Sequence, residues 1–319
     1  MKKKDLISVV IPTYNEEEVI NIFYDKINII SKDMKFVNFE FIFVDDGSTD
    51  NSLNIIKKLN SLDKRVRFIS FSRNFGKEAA IYAGLKSSLG NFVTIMDCDL
   101  QDPPELLNDM YNAVTEEGFD AAAIYSLSHK DYSFFRNLLT KIWYKINSSL
   151  SGNLEKPGTR DYRLMSKKVI DSLLSMQEVN RYTRGLYSYM GYNIKWIAIN
   201  TDDRAAGKSK FNLRKLFSYS IDAISSTSTK PLLLSAYIGL LFCLIAFIFI
   251  IIIIVKTIIW GDPVSGWPSL VCIIIFLSGI QLFFLGIIGI YLSKLYLEIK
   301  KRPLYFINDT EKDKKKGDK

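Results

Sequence analysis

The stretch FVTIMDCDLQDPPE, residues 92–105, decides the fold class. Residues 92–96 are apolar or β-branched and predict a buried strand, and acidic side chains begin where that strand ends. Strands are also predicted at 7–11, 39–44 and 66–71, and helical patterns occupy the segments between them. Strands that alternate with helices in this way indicate βαβ units, so we predict an α/β domain around a mostly parallel sheet.

Three of the predicted strands end in polar clusters, PTYN at 12–15, DDGSTD at 45–50 and DCDLQDPPE at 97–105. Open α/β sheets bind ligands at the carboxyl ends of their strands, so we expect the site on this rim. Asp97 and Asp99 can offer oxygen ligands to Mg²⁺ or Mn²⁺, and substrate phosphates and water would complete the shell of the ion. A solvated acidic turn is the alternative interpretation of an isolated D-x-D pattern.

The DDGS turn also has two interpretations. Asp45 can accept hydrogen bonds from a base or a ribose, whereas Ser48 or Asp50 can cap the helix that follows. We expect a combination, in which Asp46 and Ser48 are structural and Asp45 contacts the ligand. The chain contains neither the P-loop pattern G-x-x-x-x-G-K-[ST] nor the dinucleotide pattern G-x-G-x-x-G, which argues against those two kinds of nucleotide site.

Two apolar stretches near the C-terminus, at 232–255 and 269–293, predict membrane-spanning helices. The first has no charge, and about 24 residues with a rise of about 1.5 Å each exceed a hydrocarbon core of about 30 Å. Lysines and arginines flank the pair, whereas the connecting loop carries only Lys256, so we expect the loop outside and both flanks in the cytoplasm. MKKKDL at the N-terminus lacks a signal-peptide pattern, which agrees with a cytoplasmic catalytic part.

The net charge is +8, and the basic residues crowd the membrane boundary, which favours anionic lipid over nucleic acid as the partner. Segment 133–150 mixes aromatic and basic residues and is predicted to be either an interfacial helix or a surface helix of the domain. Gly279, Gly286 and Ser293 recur every seven residues, so the second span can pack closely on the first span or on another copy. The tail from Asp309 is polar, and we expect it to be disordered.

Six segments together resemble the glycosyltransferase family 2 enzymes that glycosylate polyprenyl phosphates. They are VVIPTYNEEE, FVDDGSTDNS, SFSRNFGKEAA, MDCDLQDPPE, NRYTRGL and DRAAGKSKFNLRKL. The resemblance implies a catalytic domain of the GT-A type, a Rossmann-like α/β fold, at residues 1–210. It further implies an interfacial helix at 211–230, a two-helix transmembrane hairpin at 231–293 and a cytoplasmic tail at 294–319.

The reaction implied by this resemblance is transfer of a sugar from a nucleotide-diphosphate sugar to undecaprenyl phosphate or another polyprenyl phosphate. The implied donor is UDP-glucose or another UDP-hexose, the implied cofactor is Mg²⁺ or Mn²⁺, and the anomeric configuration inverts. The product would be a polyprenyl monophosphate sugar used for cell-envelope glycan modification. The enzyme would be a multi-pass protein of the bacterial cytoplasmic membrane and a homo-oligomer, with a tetramer as one arrangement.

The resemblance also implies a nucleotide-sugar site on the three strand-end loops. Its residues are Pro12, Tyr14, Glu16, Asp45, Asp97, Cys98, Asp99 and Gln101. Within this set, Asp99 and Gln101, together with Asp97, would hold the metal ion against the diphosphate.

Asp161 and Arg163 match the catalytic aspartate of the family and a companion arginine. A phosphate monoester has a second pKa of about 6 and is mostly dianionic at pH 7, so Asp161 need not act as a strong base. We expect Asp161 to position the acceptor phosphate together with Arg163, or to stabilise positive charge on the sugar. Arg204 and Lys210 would lie near the donor and acceptor phosphates, and Arg136 would assist on the membrane side.

Two alternative functions share much of this pattern. A processive polysaccharide synthase has the same D-x-D pattern but carries Q-x-x-R-W. The nearest segment here is QEVNRY at 177–182, with one extra residue and tyrosine in place of tryptophan. A non-catalytic membrane scaffold would be favoured by the loss of Asp97, Asp99 or Asp161, and all three are present.

Overall fold

Eight strands form one sheet, seven from residues 6–199 and one from residues 307–310. The protein is seen here in a computed structural model that describes residues 4–126, 156, 158–199, 229–260 and 266–311. In chain order the strands are β1 (Leu6–Thr13), β2 (Asn38–Asp45), β3 (Val66–Phe71), β4 (Phe92–Ile95), β5 (Ala121–Ser126), β6 (Thr159–Ser166), β7 (Ile194–Ile199) and β8 (Ile307–Thr310). Their order across the sheet is β7-β5-β6-β4-β1-β2-β3-β8.

The sheet is mixed but mostly parallel. Strand β1 pairs in parallel with β2 and β4, β2 pairs in parallel with β3, and β5 pairs in parallel with β7. Strand β6 runs antiparallel to β4 and β5, and β8 runs antiparallel to β3. This confirms the predicted α/β fold class. Because β1 lies between β2 and β4, the three polar clusters of the sequence meet at one rim of the sheet.

Helices cover both faces of the sheet. They are α1 (Ile20–Asp33), α2 (Ser52–Leu62), α3 (Lys77–Ser87), α4 (Leu107–Thr115), α5 (Lys167–Ser175) and α6 (Thr183–Met190), with a 3₁₀ turn at Pro104–Leu106. Successive side chains of a strand face opposite layers. Val9 of β1 accordingly packs in a core with α1, α2 and α4, whereas Val10 packs with α3, α5 and α6.

Helix α3 approaches the sheet closely because its buried face is made of small residues. Ala79, Ala80 and Ala83 lie in the core beneath β2 and β3. A Cβ atom added at Gly84 would lie 2.2 Å from a methyl carbon of Val10, so a larger side chain would force the helix outward. This packing sets how closely α3, which begins at Lys77, approaches the sheet.

The tail was expected to be disordered from Asp309. This expectation is wrong for residues 309–311, which lie in strand β8 or directly after it. Strand β8 includes Asp309, and the Nζ atom of Lys57 on α2 lies 2.5 Å from the carboxylate of Asp309. Arg67 Nε lies 3.0 Å from the Glu311 carboxylate. Ion pairs to neighbouring elements, rather than burial, stabilise the side chains of this short edge strand. Its sequence therefore lacks the alternation of apolar and polar residues that predicts a strand. Residues 312–319 lie outside the described part of the chain.

Two long helices, α7 (Lys230–Trp260) and α8 (Trp267–Lys300), follow in a second unit of residues 146–152 and 213–301. They have 31 and 34 residues and are long and apolar enough to cross a membrane. Their rings meet at Phe242 and Phe276, with centroids 6.3 Å apart. Both predicted spans are therefore helical. The interfacial segment predicted at 133–150 lies outside the described residues, as does nearly all of the one at 211–230.

Candidate active site

The loops that follow β1 and β2 are hydrogen-bonded to each other. Asn15 has a left-handed backbone with φ of 54°, which directs its amide nitrogen to the hydroxyl of Ser48 at 3.0 Å. The side-chain oxygen of Asn15 accepts a hydrogen bond from the Thr49 nitrogen at 2.8 Å. The Glu16 nitrogen donates to the Ser52 hydroxyl at 2.9 Å. These reciprocal bonds make one wall of the rim out of two loops.

The expectation that Ser48 or Asp50 caps α2 is wrong, because the N-cap residue is Asn51 and it makes no side-chain capping hydrogen bond. Helix α2 begins at Ser52, and Asp50 accepts a hydrogen bond from the Ser52 nitrogen at 3.0 Å through Oδ1. The other oxygen of Asp50 accepts from the Glu17 nitrogen at 3.2 Å, so Asp50 serves the helix and the first loop together. Ser48 does not cap the helix, and instead holds Asn15.

The two aspartates that end β2 are buried and bonded. Asp45 is 1% exposed, and its two carboxylate oxygens accept hydrogen bonds from the Ser48 nitrogen at 3.2 Å and the Ser70 hydroxyl at 2.8 Å. Asp46 accepts from the nitrogens of Phe75 at 2.6 Å and Gly76 at 2.9 Å. Burial raises the pKa of Asp46, and these two amides oppose the shift. The structural role expected of Asp46 is confirmed, and a ligand contact by Asp45 stays a prediction.

Cys98 of the D-x-D segment faces the core. Its side chain is 2% exposed and lies in the cluster beneath α1 and α4. Its sulfur lies 3.9 Å from the carbonyl oxygen of Pro12, which connects the D-x-D loop to the end of β1. Burial raises the pKa of the Cys98 thiol, so the thiol is neutral at physiological pH. Any contact of Cys98 with a nucleotide sugar would therefore involve its backbone.

The D-x-D loop turns sharply after Asp99. Asp99 Oδ1 accepts a hydrogen bond from the Gln101 nitrogen at 3.1 Å, which closes a local turn. Between them, Leu100 has φ of 56°, a left-handed conformation that costs a branched side chain about 1–2 kcal/mol. Strained backbone of this kind collects at functional sites, where surrounding contacts hold it. The turn holds the Asp99 carboxylate against the backbone of Gln101.

Four charged side chains form what we call the charge cluster: Lys77, Asp97, Asp161 and Arg184. Lys77 Nζ donates to Asp97 Oδ2 at 2.6 Å and to Asp161 Oδ2 at 2.7 Å. The remaining oxygen of Asp161 accepts from Arg184 Nε at 2.7 Å. Asp97 follows β4 and Asp161 lies on the adjacent β6, so pairing of these strands brings the two carboxylates together.

A second contact joins the helix starts that carry Lys77 and Arg184. The residue after Lys77 is Glu78, and the residue before Arg184 is Thr183. The Glu78 carboxylate accepts a hydrogen bond from the Thr183 nitrogen at 3.1 Å and another from the Thr183 hydroxyl. The first turns of α3 and α6 are thereby joined, and each contributes one cation to the carboxylate of Asp161.

The electrostatics of the charge cluster keep Asp161 ionised. Burial disfavours its charged form, but the charges of Lys77 and Arg184 outweigh burial and hold the pKa of Asp161 well below its usual value. Burial raises the pKa of Asp97, an effect that Lys77 opposes and the charge of Asp161 increases. Burial would lower the pKa of Lys77, yet its two carboxylate partners raise it. Asp161 is therefore a weak proton acceptor at neutral pH.

The contacts described for Arg163 are to Tyr187 and Arg160 rather than to the carboxylate that it was expected to assist. It is 1% exposed on β6, and its guanidinium stacks on the ring of Tyr187 at 3.7 Å. Its terminal nitrogen donates to the carbonyl oxygen of Arg160 at 3.3 Å. The side chain at position 163 thus fills the space between β6 and α6, and the arginine that contacts Asp161 is Arg184.

Arg160 ties the D-x-D loop to β6. Its Nε atom lies 3.0 Å from Asp102 Oδ1 in an ion pair, and a terminal nitrogen donates to the side-chain oxygen of Gln101 at 3.5 Å. Burial raises the pKa of Asp102 to about 6, although the charge of Arg160 acts in the opposite direction. The loop is therefore held at both ends, by Pro12 and by Arg160.

The donor set for a metal ion consists of oxygen atoms. Asp99 has a carboxylate oxygen that accepts no hydrogen bond from the described residues, and Asp97 has one oxygen away from Lys77. The described residues contain no group of three His, Cys, Asp or Glu side chains arranged for a metal. Two carboxylates and an amide suit a hard ion that takes its other ligands from a diphosphate and water. The residues therefore fit the expected ion as a partial shell.

Three further predicted site residues lie at this rim. Tyr14 is 40% exposed at the end of β1, while Pro12 and Glu16 are partly buried beside it. The predicted phosphate contacts lie outside the described residues and are Arg136, Arg204 and Lys210.

The sequence analysis did not predict Lys77 or Arg184 as site residues. Both occur in segments of the resemblance, SFSRNFGKEAA and NRYTRGL, and both lie within the first two residues of a helix. A cation at the start of a helix is disfavoured by the helix dipole, which is a signal that its position serves another purpose.

Comparison with known proteins agrees with this architecture. The sequence profile of Glycosyl transferase family 2 matches residues 8–174. The chain is 37% identical to an uncharacterized glycosyltransferase, YkcC, of Bacillus subtilis (strain 168), over 94% of this chain and 92% of that protein. It is 36% identical to a prophage bactoprenol glucosyl transferase homolog of Escherichia coli (strain K12), over 96% and 99%. It is 35% identical to the bactoprenol glucosyl transferase of Shigella phage SfV, over 97% and 99%.

Among solved structures, a mycobacterial protein shares the fold with a TM-score of 0.50 at 18% identity, over 69% of this chain and 73% of that one. The profile match spans more than half of the chain, the relatives match nearly all of it, and the carboxylates of the D-x-D segment lie at the rim of a mostly parallel sheet. The chain is a glycosyltransferase and belongs to glycosyl transferase family 2.

Proposed function

We propose that this enzyme transfers a sugar from a nucleotide-diphosphate sugar to a polyprenyl phosphate at the cytoplasmic face of a bacterial membrane. The observation that carries the proposal is the charge cluster, in which Lys77 joins the D-x-D carboxylate of Asp97 to Asp161. The lipid acceptor is supported by relatives named bactoprenol glucosyl transferases, which match over nearly the whole chain. Helices α7 and α8 support a membrane location.

The loops after β1, β2 and β4 would bind the nucleotide diphosphate. Asp99 and Gln101, with Asp97, would hold Mg²⁺ or Mn²⁺ beside the diphosphate. The ion, when bound, supplies positive charge to the leaving diphosphate. Lys77 contacts Asp97 directly, so its ammonium can help to neutralise the same charge.

Asp161 would act by position and charge rather than as a base. Its pKa is held low by Lys77 and Arg184, and a phosphate acceptor that is already dianionic has no proton to give up. Arg184 is better placed than Arg163 to share an acceptor phosphate with Asp161, because its guanidinium contacts that carboxylate. Attack by the acceptor on the face opposite the diphosphate would invert the anomeric centre.

We infer the donor and the product by analogy with the relatives. Two of them are named as glucosyl transferases, which supports UDP-glucose, with other UDP-hexoses as the nearest alternatives. The product would be a polyprenyl monophosphate sugar for modification of cell-envelope glycans. We further propose that Arg136, Arg204 and Lys210 contact the phosphates of donor and acceptor.

We further propose that the protein forms a homo-oligomer through α8. Among the described atoms, nothing lies within 4 Å of a Cβ atom built at Gly279, Gly286 or Gly289 of α8. This supports a second copy, rather than α7, as the partner of the glycine face.

The contacts of the QEVNRY segment do not favour a processive polysaccharide synthase. The arginine of the QEVNRY segment, Arg181, is 8% exposed and donates hydrogen bonds to the carbonyl oxygens of Leu173 and Met176. Its guanidinium also stacks on the ring of Tyr82, at 4.6 Å. Arg181 is thus engaged in packing α5 and α3 together, so the partial likeness to Q-x-x-R-W carries no argument for polymer synthesis.

The test is a donor panel. Purified full-length protein is mixed with undecaprenyl phosphate, Mg²⁺ or Mn²⁺, and UDP-glucose, UDP-N-acetylglucosamine or GDP-mannose in turn, and lipids are read by mass spectrometry. We expect one donor to give a lipid whose mass increases by a single sugar. A series of lengthening products, or the absence of a lipid product with any donor, would contradict the proposal.

A further inference from the structure

Residues 304–311, which we call the C-terminal strap, lie against the loop that leads to Lys77. Strand β8 forms half of the strap and pairs with β3. The pairing continues past the end of β3, because the Ser72 nitrogen donates to the Phe306 carbonyl oxygen at 3.0 Å. The strap therefore runs beside the first residue of the loop 72–76 as well as beside the sheet.

Aromatic rings connect the strap to this loop. Tyr305 stacks on Phe71 of β3 with centroids 4.7 Å apart, and Phe71 meets Phe75 edge-on at 5.8 Å. The ring of Phe306 lies 6.1 Å from that of Phe75. Phe75 of the loop thus contacts both β3 and the strap, and such ring pairs contribute about 0.5–1.5 kcal/mol beyond their buried area.

The other side of the loop rests on the turn after β2. The nitrogens of Phe75 and Gly76 donate to the Asp46 carboxylate, at 2.6 and 2.9 Å. A Cβ atom at Gly47 would lie 2.4 Å from the carbonyl carbon of Arg73, so the two backbones are in direct contact. The loop is held between this turn and the strap, and Lys77 follows it immediately.

We propose that the strap positions the active site, with Phe306 holding Phe75 so that the loop stays on Asp46 and Lys77 stays between Asp97 and Asp161. This inference rests on the proposed role of the charge cluster in sugar transfer. Gly76 is the last residue of the loop and directly precedes Lys77, the first residue of α3, and its nitrogen is one of the two that Asp46 holds.

The far end of the strap offers a matched control. Glu311 pairs with Arg67, and among the described residues it has no hydrogen bond or ion pair to the loop 72–76. Glu311→Gln keeps an acceptor oxygen for Arg67 and changes a side chain of the strap that is not part of the ring contacts with Phe75. Phe306 is 57% exposed, so Phe306→Ala should fold, and Phe306→Tyr keeps a ring at this position.

The experiment measures two properties of the full-length protein in detergent. Hydrogen exchange of the peptide that contains Phe75 and Gly76 reports on the loop. Affinity for whichever of UDP-glucose, UDP-N-acetylglucosamine and GDP-mannose binds wild type reports on the site. We expect Phe306→Ala to speed exchange in this peptide and to weaken donor binding, each by roughly threefold to tenfold. Phe306→Tyr should restore both, and Glu311→Gln should change neither.

Unchanged exchange in Phe306→Ala would overturn the inference, as would faster exchange with unchanged donor affinity. Equal effects of Phe306→Ala and Glu311→Gln would also overturn it, because they would indicate a general loss of stability. If the wild-type protein binds none of the nucleotide sugars, the proposed function fails, and the exchange measurement still decides whether the strap holds the loop.

Discussion

At the scale of single residues, Asp161 offers one carboxylate oxygen to Lys77 and the other to Arg184. Both partners come from helix starts that Glu78 and Thr183 hold together. The arrangement keeps the carboxylate charged and oriented without making it a base, which suits an acceptor that is itself an anion. The contacts of two arginines also differ, since Arg184 contacts Asp161 whereas Arg163 stacks on Tyr187.

Replacing these two arginines should have different consequences. Arg184→Met removes a partner of Asp161, and we expect the transfer rate to fall by roughly 10²-fold, the scale of one lost electrostatic contact, with the thermal midpoint nearly unchanged. Arg163→Met removes a buried cation from the ring of Tyr187, so the thermal midpoint should fall while the folded fraction keeps its rate. Transfer assays beside thermal unfolding check this, and the reverse pattern would make Arg163 the companion.

Donor binding should depend on a divalent ion held through Asp99. Asp99→Ala removes the carboxylate that no described cation pairs with, which leaves the diphosphate charge poorly matched. We expect wild type to lose donor affinity in chelator and Asp99→Ala to be weak with or without the ion. Titration calorimetry with the donor identified in the panel measures both. Normal binding and transfer by Asp99→Ala in chelator would refute the metal assignment.

At the scale of elements, the turn at 45–47 holds the loop 72–76 through Asp46 and through the close approach of Gly47 to Arg73. Gly47 has φ of 68° and touches the backbone of Arg73, so Gly47→Ala combines a strained backbone with a clash. Gly118 has φ of 79° with nothing described within 4 Å of an added Cβ, so Gly118→Ala carries the strain alone. We expect Gly118→Ala to cost about 1–2 kcal/mol of unfolding free energy and Gly47→Ala clearly more. Equal losses in chemical denaturation would show that the contact with Arg73 is unimportant.

The elements themselves were largely predictable, because each reflects a local pattern. Strand β3 has the predicted bounds, and α3 begins at the predicted Lys77. The misses come from contacts distant in the chain. Thr183 reaches Glu78 across 105 positions, and the pairing of β8 with β3 joins the tail to the middle of the chain. No window of sequence contains such pairs, so the roles of Arg184 and the strap could not be read from spacing.

At the scale of the whole molecule, the two apolar helices give the predicted topology a direct test. We expect the loop at 261–267 outside and both termini inside, because the flanks carry the lysines and arginines. In a chain with Cys243 and Cys272 replaced by serine, Ser265→Cys should react with an impermeant thiol reagent on intact cells, and Asp313→Cys should not. Reaction at position 313 alone would mean the reverse orientation and would remove the donor site from the cytoplasm.

The central claim is that the charge cluster performs the transfer step, with Asp161 acting by charge and position. Single-turnover transfer to undecaprenyl phosphate, measured beside donor affinity in wild type and Asp161→Asn, tests it most directly. The account predicts that Asp161→Asn binds the donor like wild type and transfers it roughly 10²-fold more slowly or worse. A collapse of donor affinity with an unchanged transfer rate would contradict the account and make Asp161 a donor ligand.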